Sequence, residues 1–219
     1  MKTNNDQYIP ALRYNWLTKF YDPIVGLTTR EKTFKYKLIK QADIQNGHEV
    51  IDVGSGTGTL TLWIKQLEPN AQIVGLDGDP KILSIARQKA KSQELDITFN
   101  QGLSSNMPYN NNRFDRCLSS LFFHHLTLNN KENTFREMFR ILKKGGELNI
   151  ADWGKPSNVV MRFLFYQIQL LDGFKTTNDN IKGALPELMK SVGFQNVSIV
   201  EEVPTMLGTM TLYSATKPS

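Results

Sequence analysis

The sequence of 219 residues contains a single cysteine, Cys117. One cysteine excludes an intramolecular disulfide and a cluster of thiolate metal ligands, and it fits a reducing, cytoplasmic location. Long apolar runs are also scarce. The most apolar stretch, residues 159–171, is interrupted by Arg162, Gln167 and Gln169, and the polar N-terminus lacks the apolar core of a signal peptide. We therefore expect no transmembrane segment.

The charge of the chain is moderately basic, with a formal net charge of +5. Its basic residues are spread along the sequence, and the densest group alternates with apolar residues: Lys32, Lys35, Lys37 and Lys40. This alternation favours a solvated helix face over a nucleic-acid patch, which requires clustering on one surface. We expect no nucleic-acid partner. The composition, with 40% hydrophobic and 21% charged residues, is that of an ordinary globular protein.

Apolar runs of strand length alternate with helical patterns along the middle of the chain. Strands are predicted at Glu49–Val53, Gln72–Leu76, Ile97–Phe99, Arg116–Leu121 and Glu147–Ala151, and helices at Leu60–Leu67, Lys81–Ser92 and Lys131–Leu142. Such alternation indicates right-handed crossovers and a parallel sheet with helices on both faces. No repeat or linker divides the sequence, so we expect a single domain spanning residues 1–219.

Local signals mark where several of these elements begin and end. Asp79 before Pro80 is typical of a helix N-cap, and Gly145-Gly146 predicts a helix stop before a strand. A further helix is predicted at Thr177–Val192, ended by Gly193. The last two strands, Val197–Val203 and Thr209–Thr216, are close enough to pair as an antiparallel hairpin. The expected fold is a Rossmann-like, doubly wound α/β fold, whose mostly parallel seven-stranded sheet carries an antiparallel edge hairpin.

A buried strand leads directly into a glycine turn, Gly54-Ser55-Gly56-Thr57-Gly58, and then into a helix. Glycines here let the backbone turn sharply and let a ligand approach the main chain without meeting a Cβ atom. A dinucleotide fingerprint requires a glycine where this chain has Thr59, which weighs against binding of NAD. Glycine turns also occur without any ligand, so a structural turn stays open.

Asp77 ends the second predicted strand. In a doubly wound sheet the carboxyl ends of adjacent strands face one crevice, so an acid there can accept hydrogen bonds from both hydroxyls of a ribose. The alternative is a turn aspartate or a helix cap. Because Asp79 already fills the capping position before Pro80, Asp77 is less needed structurally.

Three segments in order, Val50–Gly58, Val74–Ala86 and Phe114–Leu126, resemble motifs of the class I S-adenosylmethionine-dependent methyltransferases. The similarity covers roughly residues 10–152 and is greatest to small-molecule enzymes of the ubiquinone and menaquinone C-methyltransferase type. It implies S-adenosylmethionine as cofactor and methyl transfer as activity. It also implies a helical cap at residues 1–45, a cofactor-binding core at 46–155, and acceptor-side helices with the edge hairpin at 156–219.

The resemblance implies a set of cofactor-binding residues. Those on the methionine and ribose side would be Asp52, Gly54, Ser55, Gly56 and Gly58, with Asp77 and Gly78 at the ribose, Ser120 near the methionine ammonium, and Tyr21 closing over the cofactor. Tyr21 could equally be core packing. The family commonly has an acid after the third strand that reaches the adenine. This chain has Leu103 there, which we expect only to form a wall of the pocket.

Two adjacent histidines, His124 and His125, follow the fourth predicted strand. They point in different directions, so at most one would face a methyl acceptor, and without carboxylates at ligand spacing we expect no metal site. The structural alternative is a ring bonded to the loop backbone. His125 is our candidate for a catalytic base.

The acceptor is expected to be a small, apolar or aromatic organic molecule. The segment from Asp152 to Phe174 is too apolar all round for a simple surface helix, so it could belong to the core, line an acceptor pocket, or form a homodimer contact. Two rival functions use the same fold: an NAD(P)-dependent oxidoreductase, and a non-catalytic binding protein that retains the fold as a scaffold.

Overall fold

A computed structural model describes residues 29–172 and 174–219. In this part of the chain seven strands form one sheet in the order β3-β2-β1-β4-β5-β7-β6. Their bounds are β1 Glu49–Val53, β2 Gln72–Asp77, β3 Thr98–Gln101, β4 Phe114–Ser120, β5 Leu142–Trp153, β6 Gln195–Thr205 and β7 Gly208–Thr216. The predicted α/β fold is confirmed.

The helices of the described residues cover both faces of this sheet. They are α1 Glu31–Gln41, α2 Thr59–Leu67, α3 Pro80–Ser92, α4 Leu128–Ile141, α5 Val159–Asp172, α6 Phe174–Ile181 and α7 Ala184–Val192, with a 3-10 helix at Phe123–His125. Side chains of α1, α2 and α5 share one apolar cluster with one face of the sheet. Those of α4 and α7 share another cluster with the opposite face.

The order and direction of the strands determine where a ligand-binding crevice lies in this sheet. Strands β1 to β5 run parallel, whereas β7 pairs antiparallel with both β5 and β6. β1 lies between β2 and β4 because the chain crosses over there, which is the topological switch point where ligands bind in open α/β sheets. The carboxyl ends of β1, β2 and β4 therefore meet at one edge.

The sequence predicted one helix at Thr177–Val192, and this is wrong. Two helices, α6 and α7, are separated by Gly183, whose φ of 74° is left-handed. A left-handed residue ends an α-helix, and glycine adopts it without the steric cost that a Cβ atom adds. Gly193 ends α7 as expected, with φ of 112°.

The two other predicted helix boundaries have different outcomes. Asp79 caps α3 as predicted, because its carboxylate accepts hydrogen bonds from the backbone N–H groups of Lys81 and Ile82, with Pro80 in the first turn. The helix before Gly145-Gly146 instead ends at Ile141, and β5 begins at Leu142, ahead of the glycines. The register between β4 and β5 shifts at this point, so the glycines lie in an irregular strand start.

The apolar segment after β5 is only partly buried. Phe165 of α5 is 1% exposed and packs against Trp153 with ring centroids 5.4 Å apart. Other apolar side chains of α5 face outward, so burial of the whole segment, the simplest of the three interpretations, is wrong. Among the described residues, no helix is long and apolar enough to cross a membrane.

Candidate functional site

The glycine turn between β1 and α2 leaves room for a ligand at one position. Gly56 has a φ of +54°, and a Cβ atom added there would meet no atom of the described residues within 4 Å. Gly54, with φ +73°, is different, because an added Cβ would lie 2.3 Å from the ring of Phe122. A side chain at either position is strained by the left-handed backbone. The absence of a side chain at Gly54 therefore allows Phe122 of the loop after β4 to pack closely, whereas Gly56 leaves space for a ligand.

Asp77 connects the glycine turn to the end of β2. Its Oδ2 accepts a hydrogen bond of 2.9 Å from the Gly56 N–H, and its Oδ1 accepts one of 2.9 Å from the Asp79 N–H. Burial raises the pKa of Asp77, and these backbone hydrogen bonds oppose that rise. The expectation that Asp77 is less needed structurally is therefore wrong. The carboxylate shapes the turn and also lies beside the open space at Gly56.

Asp52 is a buried carboxylate with one free oxygen. Its Oδ2 accepts a 2.6 Å hydrogen bond from the Thr61 hydroxyl, whereas its Oδ1 has no hydrogen-bond partner among the described residues. Burial raises the pKa of Asp52 to about 6, although the Thr61 hydrogen bond and the charge of Lys35 both lower it. An unpaired buried acceptor costs free energy, so a donor supplied by a ligand would be favourable here.

A buried ion pair lies near Asp52 and was missed by the sequence interpretation. Lys35 and Glu31 of α1 are both nearly buried, with Lys35 Nζ 2.5 Å from Glu31 Oε1. The lysine charge also acts on Asp52. The sequence pattern predicts that Lys35 lies on a solvated helix face, and this is wrong because its side chain is buried. Its position on the helix face that also carries Phe34 and Leu38 is the signal that was available.

The other residues named for the cofactor lie around the same strand ends. Ser120 ends β4 beside β1, Gly78 follows Asp77, and Leu103 follows β3 with 42% of its surface exposed. The Ser55 hydroxyl is buried without a hydrogen-bond partner among the described residues and lies close to Gly75. Gly58 has a left-handed φ of +81°. Tyr21 lies outside the described residues.

The loop after β4 is strained and holds both histidines. Leu121 has a φ of 53°, a conformation that costs a residue with a side chain about 1–2 kcal/mol and that is often found at functional sites. His124 is 3% exposed, and its Nδ1 lies 2.8 Å from Asp152 Oδ1. A ring bonded to the loop backbone was our structural alternative; the partner is instead a carboxylate.

Asp152, a fully buried residue near the end of β5, organises this loop. Its Oδ2 accepts the backbone N–H groups of Phe122 and Phe123 at 2.9 and 2.7 Å, and its Oδ1 accepts the side-chain amide of Asn180 at 3.1 Å. Burial alone would raise the pKa of Asp152, but the interactions with His124 and the hydrogen bonds outweigh it and lower that pKa. The carboxylate is therefore ionised at neutral pH.

His125 differs from its neighbour in its electrostatics. Burial and the adjacent His124, whose ring centroid is 4.0 Å away, lower the pKa of His125 well below 6.5, although Asp152 partly opposes this. Its side chain keeps partial solvent access. A neutral imidazole can accept a proton at neutral pH. Among the described residues no cluster of three or more histidine, cysteine or acidic side chains could hold a metal ion.

Comparison with known proteins agrees with this arrangement. Residues 50–146, which include the glycine turn, Asp77 and both histidines, match the family model of a methyltransferase domain. The demethylmenaquinone methyltransferase of Lactobacillus johnsonii is 28% identical over 198 residues, covering 81% of this chain and 80% of that protein. The match favours methyl transfer over hydride transfer on a related fold.

Solved structures share the fold at low sequence identity. The phosphoethanolamine N-methyltransferase 2 of Haemonchus contortus, crystallised with S-adenosylhomocysteine, has a TM-score of 0.77 at 15% identity, covering 95% of this chain and 59% of that chain. The [4+2]-cyclase SpnF has a TM-score of 0.68 at 18% identity, covering 85% and 81%. The sheet order, the glycine turn, the family model over residues 50–146 and the relatives in sequence together support a class I S-adenosylmethionine-dependent methyltransferase.

Proposed function

We propose that the chain methylates a small, apolar or aromatic organic acceptor, with the cofactor bound across the carboxyl ends of β2, β1 and β4. The position of the cofactor is proposed from three neighbouring residues, Asp52, Gly56 and Asp77. It combines an unpartnered buried carboxylate oxygen, open space over a glycine, and a second carboxylate at the next strand end. This combination fits a cofactor with a cationic amino-acid end and a ribose.

Each end of the cofactor has a matching side chain. Asp52 Oδ1 would accept from the methionine ammonium, and Lys35 would face the methionine carboxylate. Asp77 would accept from the ribose hydroxyls, with Gly78 beside it and Leu103 as an apolar wall at the adenine. The backbone of residues 54–58 would line the methionine and ribose, including Gly54, Ser55 and Gly58, and Ser120 would contribute its backbone near the ammonium. Tyr21 remains a candidate to close over the site.

The cofactor supplies a sulfonium-activated methyl group, so the protein needs mainly to position the acceptor. Proximity and alignment of this kind contribute as much as ~7–11 kcal/mol to lowering a barrier. The loop after β4, held by Asp152, borders the cofactor position through the Phe122 ring at Gly54. His125 on this loop is our candidate to accept a proton from the acceptor or to orient it.

Apolar surroundings support the acceptor class. The ring of Phe122, on the loop after β4, is only partly buried and lies beside Gly54, whereas the Phe123 ring next to it is fully buried and stacks on Phe135 with centroids 4.5 Å apart. A protein similar to this chain is named for demethylmenaquinone, and a quinone is a flat conjugated ring whose carbonyl groups are its polar atoms. The single buried Cys117 fits a cytoplasmic enzyme.

A labelled-methyl survey tests the acceptor class. The chain is incubated with S-adenosylmethionine carrying a deuterated methyl group and with separate apolar and polar extracts of small molecules. We expect mass spectrometry to detect a new labelled product in the apolar extract. A product found only in the polar extract would contradict the acceptor class. The protein-free reaction is the control for spontaneous methylation.

Asp77→Ala should weaken binding of S-adenosylhomocysteine at least about tenfold. The variant removes a charged acceptor, and hydrogen bonds to charged groups contribute ~1.5–3 kcal/mol each. Calorimetry measures the dissociation constant. Since Asp77 also holds the Gly56 and Asp79 N–H groups, the matched control is Asp79→Ala, which removes the α3 cap but leaves the ribose acceptor. Equal losses in both variants would assign Asp77 to the turn alone.

Affinity for S-adenosylhomocysteine should fall as the pH drops below about 6. The pKa of Asp52 in the free protein is about 6, so its carboxylate is mostly ionised at pH 7 and mostly protonated at pH 5. Only the ionised form attracts an ammonium, so we expect about a tenfold loss of affinity per pH unit on the acid side. Titration calorimetry between pH 5 and 8 measures this.

5′-Methylthioadenosine, which lacks the amino-acid end, is the control ligand for this pH dependence. Its affinity should change much less over the same range, and Asp52→Asn should flatten the curve for S-adenosylhomocysteine. If the affinities for the two ligands changed equally with pH, the titrating group would not be the one that contacts the ammonium.

A further inference from the structure

The outward face of α5 is apolar, although this side of a surface helix is normally polar. Four apolar side chains, which we call the α5 face, are 85%, 62%, 70% and 44% exposed: Val159, Val160, Phe163 and Tyr166. Their spacing places them on one side of the helix. Isolated exposed apolar residues are common, but a contiguous set of large ones indicates an interaction surface.

The helix that carries this face is anchored to the sheet. Phe165, on the inner side of α5, packs against Trp153 and contacts Gly208 of β7. At the start of the helix, the Ser157 N–H donates a 3.1 Å hydrogen bond to the Thr209 hydroxyl. The α5 face is therefore exposed while the opposite side of the same helix is buried.

The surroundings of the α5 face are basic. Residues 154–171 contain no aspartate or glutamate. Lys155 is exposed, and the Arg162 guanidinium lies over the Tyr166 ring at 4.3 Å from its centroid.

Helix α1 adds positive charge on the same side of the sheet, because its residues Phe34 and Leu38 share an apolar cluster with Phe165. Its lysines Lys32 and Lys40 are exposed, whereas Lys37 is paired with Glu201.

We propose that this side of the molecule docks on an anionic lipid surface, with the α5 face inserted and the cations of α1 and α5 among the lipid headgroups. An apolar face bordered by lysine and arginine is typical of helices that lie at such interfaces. A purely electrostatic partner, such as a nucleic acid, leaves four exposed apolar side chains unexplained.

Docking would bring the cofactor crevice close to the lipid. The α5 helix begins six residues after Trp153, the last residue of β5, and β5 ends at the same edge of the sheet as β4. An acceptor dissolved in the bilayer could then enter from the lipid side. This consequence, unlike the docking itself, rests on the proposed apolar acceptor.

Co-sedimentation with vesicles tests the docking. The whole chain should bind vesicles containing phosphatidylglycerol and bind vesicles of pure phosphatidylcholine at least about fivefold more weakly. The double variant Val160→Ser, Phe163→Ser should lose about tenfold or more in partitioning, because two buried apolar side chains are removed. Lys32→Gln with Lys40→Gln should reduce binding to anionic vesicles about fivefold per lysine.

Ile199→Ser is the matched control. Ile199 is 55% exposed and pairs with Tyr213 of β7, whose side chain belongs to the cluster on the opposite face of the sheet. It should leave vesicle binding unchanged. Equal losses in the control and the double variant, or equal binding to both kinds of vesicle, would overturn the proposal.

A single fluorescent label distinguishes lipid from other occupants of this surface. Cys117 is fully buried, so Phe163→Cys provides one reactive thiol for an environment-sensitive dye. We expect a blue shift only when anionic vesicles are added. A dye already shielded without lipid, at low protein concentration, would show that the chain itself covers the face. Shielding that increases with protein concentration would show a second copy there. Either result overturns lipid docking.

Binding of S-adenosylhomocysteine to the same variants separates the two proposals. It should be unchanged in the Val160→Ser, Phe163→Ser variant, because these side chains lie outside the cofactor residues. If vesicle binding fails while this ligand binds normally, only lipid docking is wrong. If the ligand fails to bind the unmodified chain, the proposed cofactor site is wrong, whatever the vesicles show.

Discussion

Asp152→Asn should lower the free energy of unfolding by about 3–5 kcal/mol, because several buried N–H donors lose their acceptor and each unsatisfied buried donor costs about 1–3 kcal/mol. The carboxylate accepts hydrogen bonds from five N–H donors: the backbone of Phe122, Phe123 and Trp153, the ring of His124 and the amide of Asn180. An asparagine side chain has only one acceptor oxygen. Its amide N–H groups would face some of these N–H donors, which would then lack an acceptor. Urea denaturation at neutral pH measures the loss.

Glu187→Gln is the matched control, since it makes the same chemical change at a side chain that is 76% exposed and paired with Lys190. Such surface pairs contribute about 0–1 kcal/mol. The pKa of Asp152 lies below its ordinary 3.8, so its contribution is fully present above that pH and is lost only as the pH falls through the lowered value. A loss under about 1 kcal/mol in Asp152→Asn would contradict the central role of this carboxylate in the loop.

The central strands of the sheet could be predicted from the sequence because they are buried on both faces. Val50, Ile51 and Val53 of β1 are completely buried, so the strand appears as a continuous apolar run that periodicity recognises. The division between α6 and α7 could not be predicted in this way. Lys182-Gly183 interrupts the helical pattern only briefly, and a single glycine inside such a pattern is tolerated in many helices.

The cofactor side of the site could be predicted from the sequence because its residues lie at the ends of recognisable strands. The glycine turn and Asp77 lie at the ends of two predicted strands, and the structure joins them through the Gly56 N–H. Asp152 was missed as a site residue because its role depends on a contact between distant segments. Asp152 meets His124 across 28 positions, and nothing in the sequence around either residue indicates that pairing.

The different environments of the two adjacent histidines could not be predicted from the sequence. Both follow β4 and are chemically identical, so the sequence can only propose that they point in different directions. In the structure His124 is bound to Asp152, whereas His125 keeps partial solvent access and a depressed pKa. This asymmetry indicates that His124 fixes the loop, and it agrees with the proposed role of His125 toward the acceptor.

His125→Ala should lower the turnover number about 10²–10⁴-fold at saturating cofactor, which is the usual contribution of a positioned general base. Affinity for S-adenosylhomocysteine should change less than about twofold, because the ring is not among the proposed cofactor contacts. The turnover number is measured with the acceptor found in the methylation survey, so that the change falls on methyl transfer rather than on binding.

The pH profile separates a base from a packing role for His125. Because the pKa of His125 lies well below 6.5, the ring is already neutral at pH 7, and turnover should be constant from there upward and fall only in more acid solution. His125→Ala should abolish that acid limb. The matched control is His48→Ala, a histidine whose Nδ1 accepts from the Gln45 N–H before β1, at the opposite end of the strands. A loss of only a few-fold, or an acid limb unchanged in His125→Ala, would mean that the ring only packs within the loop and that positioning by the Asp152-bound loop suffices for methyl transfer.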